Sequence, residues 1–185
     1  EGFFNTGFSL NNNLAVSFGE ENAWGRVSLG RLSREGIVPN TEYKRTNVGI
    51  RLGANLNEKL SIDLSANYVY SNSDNVTDVG YGSGGLMYSM LWTMKNYSLE
   101  DYKDYWLPNQ PNQYPNNYFL SWGTNPYLIV NENLNAFKHN RMFGNFKTSY
   151  KFNDNFSAFV RVGMDTYGDR RQSRRPAQRA FRQGL

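Results

Sequence analysis

The sequence predicts an all-β protein, a segment of an antiparallel transmembrane β-barrel. Three observations carry that prediction: period-two alternation over long segments, aromatic residues gathered near segment ends, and charge at mid-segment on the face opposite the apolar one. Composition points the same way. Hydrophobic residues make up 39% of the chain, yet 16% of residues are aromatic and the mean hydropathy is -0.68. A disordered chain can be that polar, but not that aromatic. With 17 Gly and 19% charged residues, this is the composition of a β-rich protein whose two faces meet different solvents.

Strands are expected near residues 7–18, 23–34, 43–56, 59–72, 138–152 and 156–170. In the first, Phe8, Leu10, Leu14, Val16 and Phe18 alternate with Ser9, Asn11, Asn13 and Ser17, and Gly19-Glu20-Glu21-Asn22 supplies a turn. The second sets Val27 and Leu29 against Arg26 and Ser28. In the third, Val48, Ile50, Leu52, Ala54 and Leu56 oppose Asn47, Gly49, Arg51, Gly53 and Asn55. After a short Asn57-Glu58 turn, the fourth sets Leu60, Ile62, Leu64, Ala66, Tyr68 and Tyr70 against Ser61, Asp63, Ser65 and Asn67. In the fifth, Met142, Phe146, Tyr150 and Phe152 oppose Arg141, Asn145, Lys147 and Ser149. The sixth follows an Asn153-Asp154-Asn155 turn and sets Phe156, Ala158, Val160, Val162 and Met164 against Ser157, Arg161, Gly163 and Asp165.

Alternation alone also fits a soluble β-sandwich, in which a second sheet takes the place of lipid. Strands of about 12 residues, rather than the usual 5 or 6, favour the membrane. So do Trp24, Tyr43, Tyr68, Tyr70, Tyr150, Phe152 and Phe156, which read as parts of two interfacial girdles. On this reading Val48, Ile50, Leu52, Leu60, Ile62, Leu64, Val160 and Val162 face lipid. Arg26, Arg51, Asp63, Asn67, Lys147 and Arg161, of opposite parity, face the lumen. The joins after Phe18, Leu56 and Phe152 are short and those between them long, which assigns the short turns to the periplasm and the long loops to the cell exterior.

The connection over residues 73–137 is far longer than ordinary loops, a mark of function. It opens on Gly80-Tyr81-Gly82-Ser83-Gly84-Gly85, and Leu86, Met87, Met90, Leu91 and Met94 then recur at helical spacing, predicting a short helix over 85–97 with a packing face. The glycine cluster lacks the Lys-Ser/Thr of a phosphate-binding loop. An irregular segment rich in Pro, Asn and Tyr follows. Trp92, Tyr102, Trp106, Tyr114 and Trp122 stand out there as candidate ligand-binding residues, because flat rings cover apolar ligand surfaces while neighbouring amides bond hydroxyls or peptide groups. Loop self-packing or a protein interface would use the same residues.

Other chemistry is thinly supported. The chain has no cysteine and one histidine, His139, so neither a thiolate site nor a common zinc site is expected; the histidine reads as structural, at a strand start. Glu100, Asp101 and Asp104 lack calcium-loop spacing and read as solvated charge. No nucleophile elbow appears, and the expectation is a protein without enzymatic activity or cofactor. Arg170, Arg171, Arg174, Arg175, Arg179 and Arg182 read as a solvated loop or polar barrel mouth, with no accompanying nucleic-acid motif. No apolar run is long enough for a helical span. The opening Glu1-Gly2-Phe3-Phe4 already reads as structured sequence, and the chain is expected to be a fragment of something larger.

Gly2-Phe3-Phe4-Asn5-Thr6-Gly7, Asn11-Asn12-Asn13, Val27-Ser28-Leu29-Gly30 and the stretch Arg34-Glu35-Gly36-Ile37-Val38-Pro39-Asn40-Thr41-Glu42-Tyr43-Lys44-Arg45 closely resemble the barrel of SusC/RagA-type TonB-dependent transporters. The resemblance is strong over residues 2–72 and looser beyond. It implies a plugged barrel of roughly 22 strands in the outer membrane of a Gram-negative bacterium. It further implies energy from the TonB complex through an N-terminal part not in this chain, contact with membrane lipid and lipopolysaccharide, and a SusD-like surface lipoprotein as partner. Oligosaccharides or peptides would be the cargo. The open alternatives are a non-transporting outer-membrane receptor or structural barrel, and a soluble carbohydrate-binding β-sandwich.

Overall fold

In the computed structural model, the residues described are 2–78, 80, 85–92, 98–109, 111, 114–117 and 124–177. Six strands form one antiparallel sheet in chain order: β1 (Phe8–Glu20), β2 (Ala23–Glu35), β3 (Glu42–Asn55), β4 (Leu60–Ser73), β5 (Leu134–Asn153) and β6 (Phe156–Arg174). Each is 13 to 20 residues long, two to four times an ordinary strand. Two short helices, α1 (Leu86–Leu91) and α2 (Pro126–Glu132), lie in the β4–β5 connection, with a 3-10 turn over Leu99–Tyr102.

Asparagine shapes two of the short turns. The Asn57 side chain accepts hydrogen bonds from the Lys59 and Leu60 amides at 2.9 and 2.8 Å, and Asn153 accepts from Asn155 at 3.0 Å, so each bends its own backbone. A register irregularity between Lys151 and Asn153 accompanies the second. Between β2 and β3, Pro39 fixes one torsion and Asn40 takes φ +56°, a conformation asparagine tolerates better than most residues.

Cross-strand register sorts the side chains into two faces. Along one level run Phe18, Gly25, Leu52, Leu64, Phe146 and Val162; the levels beside it carry Val16, Val27, Ile50, Ala66, Gly144 and Met164, then Leu14, Leu29, Val48, Tyr68 and Met142. Above them the same face turns polar, at Arg31, Lys44, Asn72 and Lys138. On β4 the apolar run lasts from Leu60 to Tyr70, roughly 33 Å of strand, or about 25 Å of height at a barrel-like tilt near 40°.

This apolar face is uncovered among the described residues. Leu14 is 65% exposed, Phe146 45% and Val162 66%. The molecule as a whole exposes 13509 Å², against roughly 9,100 Å² expected for a self-contained monomer of 21.3 kDa. The open sheet, its apolar face uncovered among the described residues, accords with that excess. The outer edges of β1 and β6 are free as well.

The buried core lies elsewhere, where the long connection folds against the β2–β3 loop. Phe3, Leu86, Tyr127, Ile129 and Val130 pack together, with Val38, Met90, Leu99 and Tyr105 against them. Leu128 is fully buried as well. Helices of six and seven residues are marginal alone, so burial of these side chains holds them.

Several expectations need correction. β5 begins at Leu134 rather than 138, because its pairing with β6 runs on to Leu134 opposite Arg174, while the Asn135 carbonyl accepts from the Val76 amide at 2.8 Å. β6 runs to Arg174, so Arg170, Arg171 and Arg174 belong to a strand and not a loop. Trp24 and Tyr43 share parity with Arg26 and Arg45 and lie on the polar face, outside any girdle on the apolar one. The segment after α1 is not wholly irregular, since α2 occupies part of it. In α1 itself Leu86 is buried and Met90 packs on the core, while Met87 and Leu91 are 46% and 76% exposed. Residues 93–97 of the expected helix, with Met94, and the glycine cluster at 82–84 lie outside the described residues.

Candidate functional site

Two surfaces bear polar chemistry: the second face of the sheet and the loop module above it. All six residues expected to line a lumen fall on that one face. Arg26 stands opposite Arg51, Asp63 opposite Lys147, Lys147 opposite Arg161, and Asn67 opposite Gly49. The eight residues expected to meet lipid all fall on the other.

The strands place nine cations on the polar face: Arg26, Arg34, Arg45, Arg51, Arg141, Lys147, Lys151, Arg161 and Arg171. Three carboxylates share it, Asp63, Asp165 and Asp169. That excess of six exceeds the net +4 of the whole chain, so the basic character is concentrated here. Some of it is internally compensated. Arg141 grips Asp165 through two hydrogen bonds, at 2.9 and 2.5 Å, and lies over the Phe143 ring. Arg171 pairs with Asp169 at 3.0 Å. Both pairs are substantially exposed and add little to stability.

The polar face is also partly aromatic. A side chain at Gly53 would run into the Trp24 indole, so the glycine lets that ring lie across its strand. Lys147 and Arg161 sit over the Phe159 ring at 5.2 and 5.8 Å. Tyr43 donates a hydrogen bond to Ser71. Sequence reading missed Trp24, Tyr43, Arg34 and Arg45 as members of this face, although their parity with Arg26 and Arg51 was there to be read.

His139 lies inside β5, on the polar face, opposite Ser71 and Asp169, and its ring meets Tyr167 edge-on. It sits deeper in the strand than expected, because β5 starts earlier. Among the described residues no three of His, Asp or Glu stand close enough to hold a metal ion. Of the acidic cluster, Glu100 pairs with Lys103 at 3.5 Å.

Asparagines hold the loop module to the sheet. Asn40 and Asn75 both donate to the Val130 carbonyl, at 2.9 and 3.2 Å; Asn75 also donates to the Asn40 carbonyl and accepts from the Asn135 amide. Asn75 is only 3% exposed, and these bonds satisfy both ends of its amide. Asn125, fully buried, caps α2 by accepting from Tyr127, and donates to the carbonyls of Tyr102 and Asn116.

Of the aromatic ligand candidates, Trp106 and Tyr114 are drawn together: Trp106 bridges to Pro115, and Leu107 donates to the Tyr114 carbonyl. Tyr102 joins them through Asn125. Trp92 caps α1, half exposed, and its ring contact is with Tyr88. Trp122 lies outside the described residues.

Tyr105 anchors this cluster by donating to Glu132 on α2 at 3.1 Å. Burial pushes its phenol above the ordinary value near 10, and the Glu132 carboxylate pushes it the same way. The folded loop therefore holds this proton more tightly than the unfolded chain does. Its contribution is complete below about pH 10 and is lost as pH rises through the raised value. Amide exchange in α2 should accordingly be steady up to about pH 10, after correction for intrinsic rates, and then accelerate. Tyr105→Phe should blunt that acceleration; Tyr127, also pushed up by burial, supplies the remainder.

No protein-family model matches the chain, and no curated protein matches it.

Proposed function

We propose that these six strands form one arc of a larger plugged β-barrel in the outer membrane of a Gram-negative bacterium, an importer of the SusC/RagA type. It takes up oligosaccharides or peptides with a SusD-like surface lipoprotein and is driven by the TonB complex through polypeptide beyond this chain. The observation that carries the reading is the sheet itself. One face is a continuous exposed apolar band about as tall as a bilayer's hydrocarbon layer, the other is polar and cationic, and both edges are free. A soluble sandwich would need a second sheet over that band, and none stands there among the described residues.

The loop module supports the same reading. Two of the stretches that resemble the family, residues 2–7 and 34–45, meet in space: the Asn5 amide donates to the Ile37 carbonyl at 2.8 Å, and Phe3 and Val38 enter one core with α1 and α2. They thus form the seat on which the long loop rests. On the proposed orientation this seat lies at the outer rim, facing a surface lipoprotein.

The test is uptake. Cells carrying the full protein are offered labelled oligosaccharides and peptides, with and without a protonophore. Accumulation that stops with the protonophore, and that is lost when residues 98–132 are deleted although the barrel still inserts, supports an importer. Binding without accumulation would make it a receptor, and recovery as a water-soluble monomer would remove the membrane reading.

A further inference from the structure

We propose that the outer rim of the apolar face binds a bisphosphorylated glycolipid of the lipid A type, with Lys138 and Arg170 holding one phosphate and Lys44 the other. This rests on the assignment of that face to lipid. Followed outward from the apolar band, the first charge on the face is Arg31 on β2, Lys44 on β3, Lys138 on β5 and Arg170 on β6, while β1 and β4 carry none there. Every strand that meets the outer end of the band with a charge thus meets it with a cation. At the inner end the strands put a single charge on this face, the carboxylate of Glu20. That asymmetry matches a membrane whose outer leaflet is the more heavily phosphorylated.

One rung of the ladder carries Lys44, Asn72, Lys138 and Arg170 on successive strands. At roughly 4.8 Å per strand, Lys44 and Arg170 stand about 14 Å apart. A disaccharide with a phosphate at each end has the complementary form, two anions divided by a polar body that faces the Asn72 amide. Lys138 opposes Arg170 directly, and like charges at opposed positions repel. A phosphate between them removes the repulsion and accepts several charged N–H donors. No carboxylate lies on this face of β5 or β6, and on the proposed reading lipid, not further polypeptide, covers it. Lys44 is the weaker arm, because Glu42 pairs with it at 2.6 Å.

The height fits as well. Lys138 lies four residues beyond Met142, where the apolar band ends on β5, which is roughly 13 Å along the strand and 10 Å in height. The headgroup layer occupies roughly the first 5–8 Å beyond the hydrocarbon, and a lysine stem reaches back into it.

The test uses the full protein in phosphatidylcholine nanodiscs, with native mass spectrometry counting bound lipid as bisphosphorylated lipid A is added. Lys138→Gln with Arg170→Gln should weaken binding roughly tenfold. Arg34→Gln with Arg45→Gln, which removes two cations beside the same rung but on the opposite face, should leave it unchanged. Exchanging the pair, Lys138→Arg with Arg170→Lys, keeps both charges and should hold affinity within about twofold, which separates loss of charge from loss of fold. Lipid A without its phosphates and phosphatidylglycerol should each bind roughly tenfold more weakly than the bisphosphorylated form.

Unchanged affinity in the Lys138 and Arg170 glutamine variant would overturn the proposal, as would an equal loss in the polar-face variant. So would equally tight binding of the phosphate-free lipid, of phosphatidylglycerol or of inorganic phosphate alone. A full protein that enters no nanodisc would remove the membrane arc itself, whereas one that inserts and binds no lipid A removes only this site.

Discussion

On the proposed membrane arc, replacing Leu64 with arginine is expected to destabilise the protein in lipid by about 2–4 kcal/mol, the cost of a cation near the bilayer midplane on a barrel exterior. Leu64 sits at the middle of the apolar band, opposite Leu52 and Phe146, with nothing over it among the described residues. In water the same substitution would be nearly neutral, because the site is already 41% exposed. The control is Asn67→Arg, three residues along on the other face, opposite Gly49 and Phe143, where the expected change is within about 1 kcal/mol. Reversible urea unfolding in lipid vesicles measures both. Comparable changes at the two positions would show that the faces do not meet different solvents.

A second large effect is expected at Asn125. Truncation to alanine removes the α2 cap and the donor to two part-buried carbonyls, those of Tyr102 and Asn116, for a loss of about 2–3 kcal/mol. The loss should be local. Hydrogen exchange should accelerate through α1, α2 and residues 98–109 while β3 and β4 keep their protection. Asn117→Ala, which removes only the acceptor for the Asn125 amide, should cost about 1 kcal/mol. Uniform loss of protection across the sheet would mean that loop and sheet unfold as one unit.

The contrast between these two sites shows where the sequence was legible. Period-two alternation is a local property, and once each strand is in register every odd or even residue follows; hence Leu64 and Asp63 fall on the faces their parity predicts. Trp24 was misread because its position near a strand end was given more weight than its parity with Arg26. Strand limits at Leu134 and Arg174 depended on pairing between distant segments, and nothing in Leu134-Asn135-Ala136 announces it.

The loop was harder for a different reason. Asn125-Pro126 followed by Tyr127-Leu128-Ile129-Val130 is a recognisable helix start, a capping residue and then proline at the first turn, yet it was lost among the Pro, Asn and Tyr around it. Asn40, Asn75 and Asn125 bond across 90, 55 and 23 residues of sequence, and no window along the chain reveals such partners. The cationic excess on one face was available from parity alone. Only the register set Arg26 directly against Arg51.

The most direct test of the membrane arc is a spin-label scan along β4, from Leu60 to Ser71, in the native protein reconstituted in lipid, measuring collision with oxygen and with a water-soluble nickel chelate. Oxygen accessibility should peak at Leu60, Ile62, Leu64, Ala66 and Tyr68, and nickel accessibility at Ser61, Asp63, Ser65 and Asn67, the two out of phase with period two. Low accessibility to both reagents at Leu60, Ile62 and Leu64 would mean that protein, not lipid, covers the apolar face, and the barrel would give way to a sandwich.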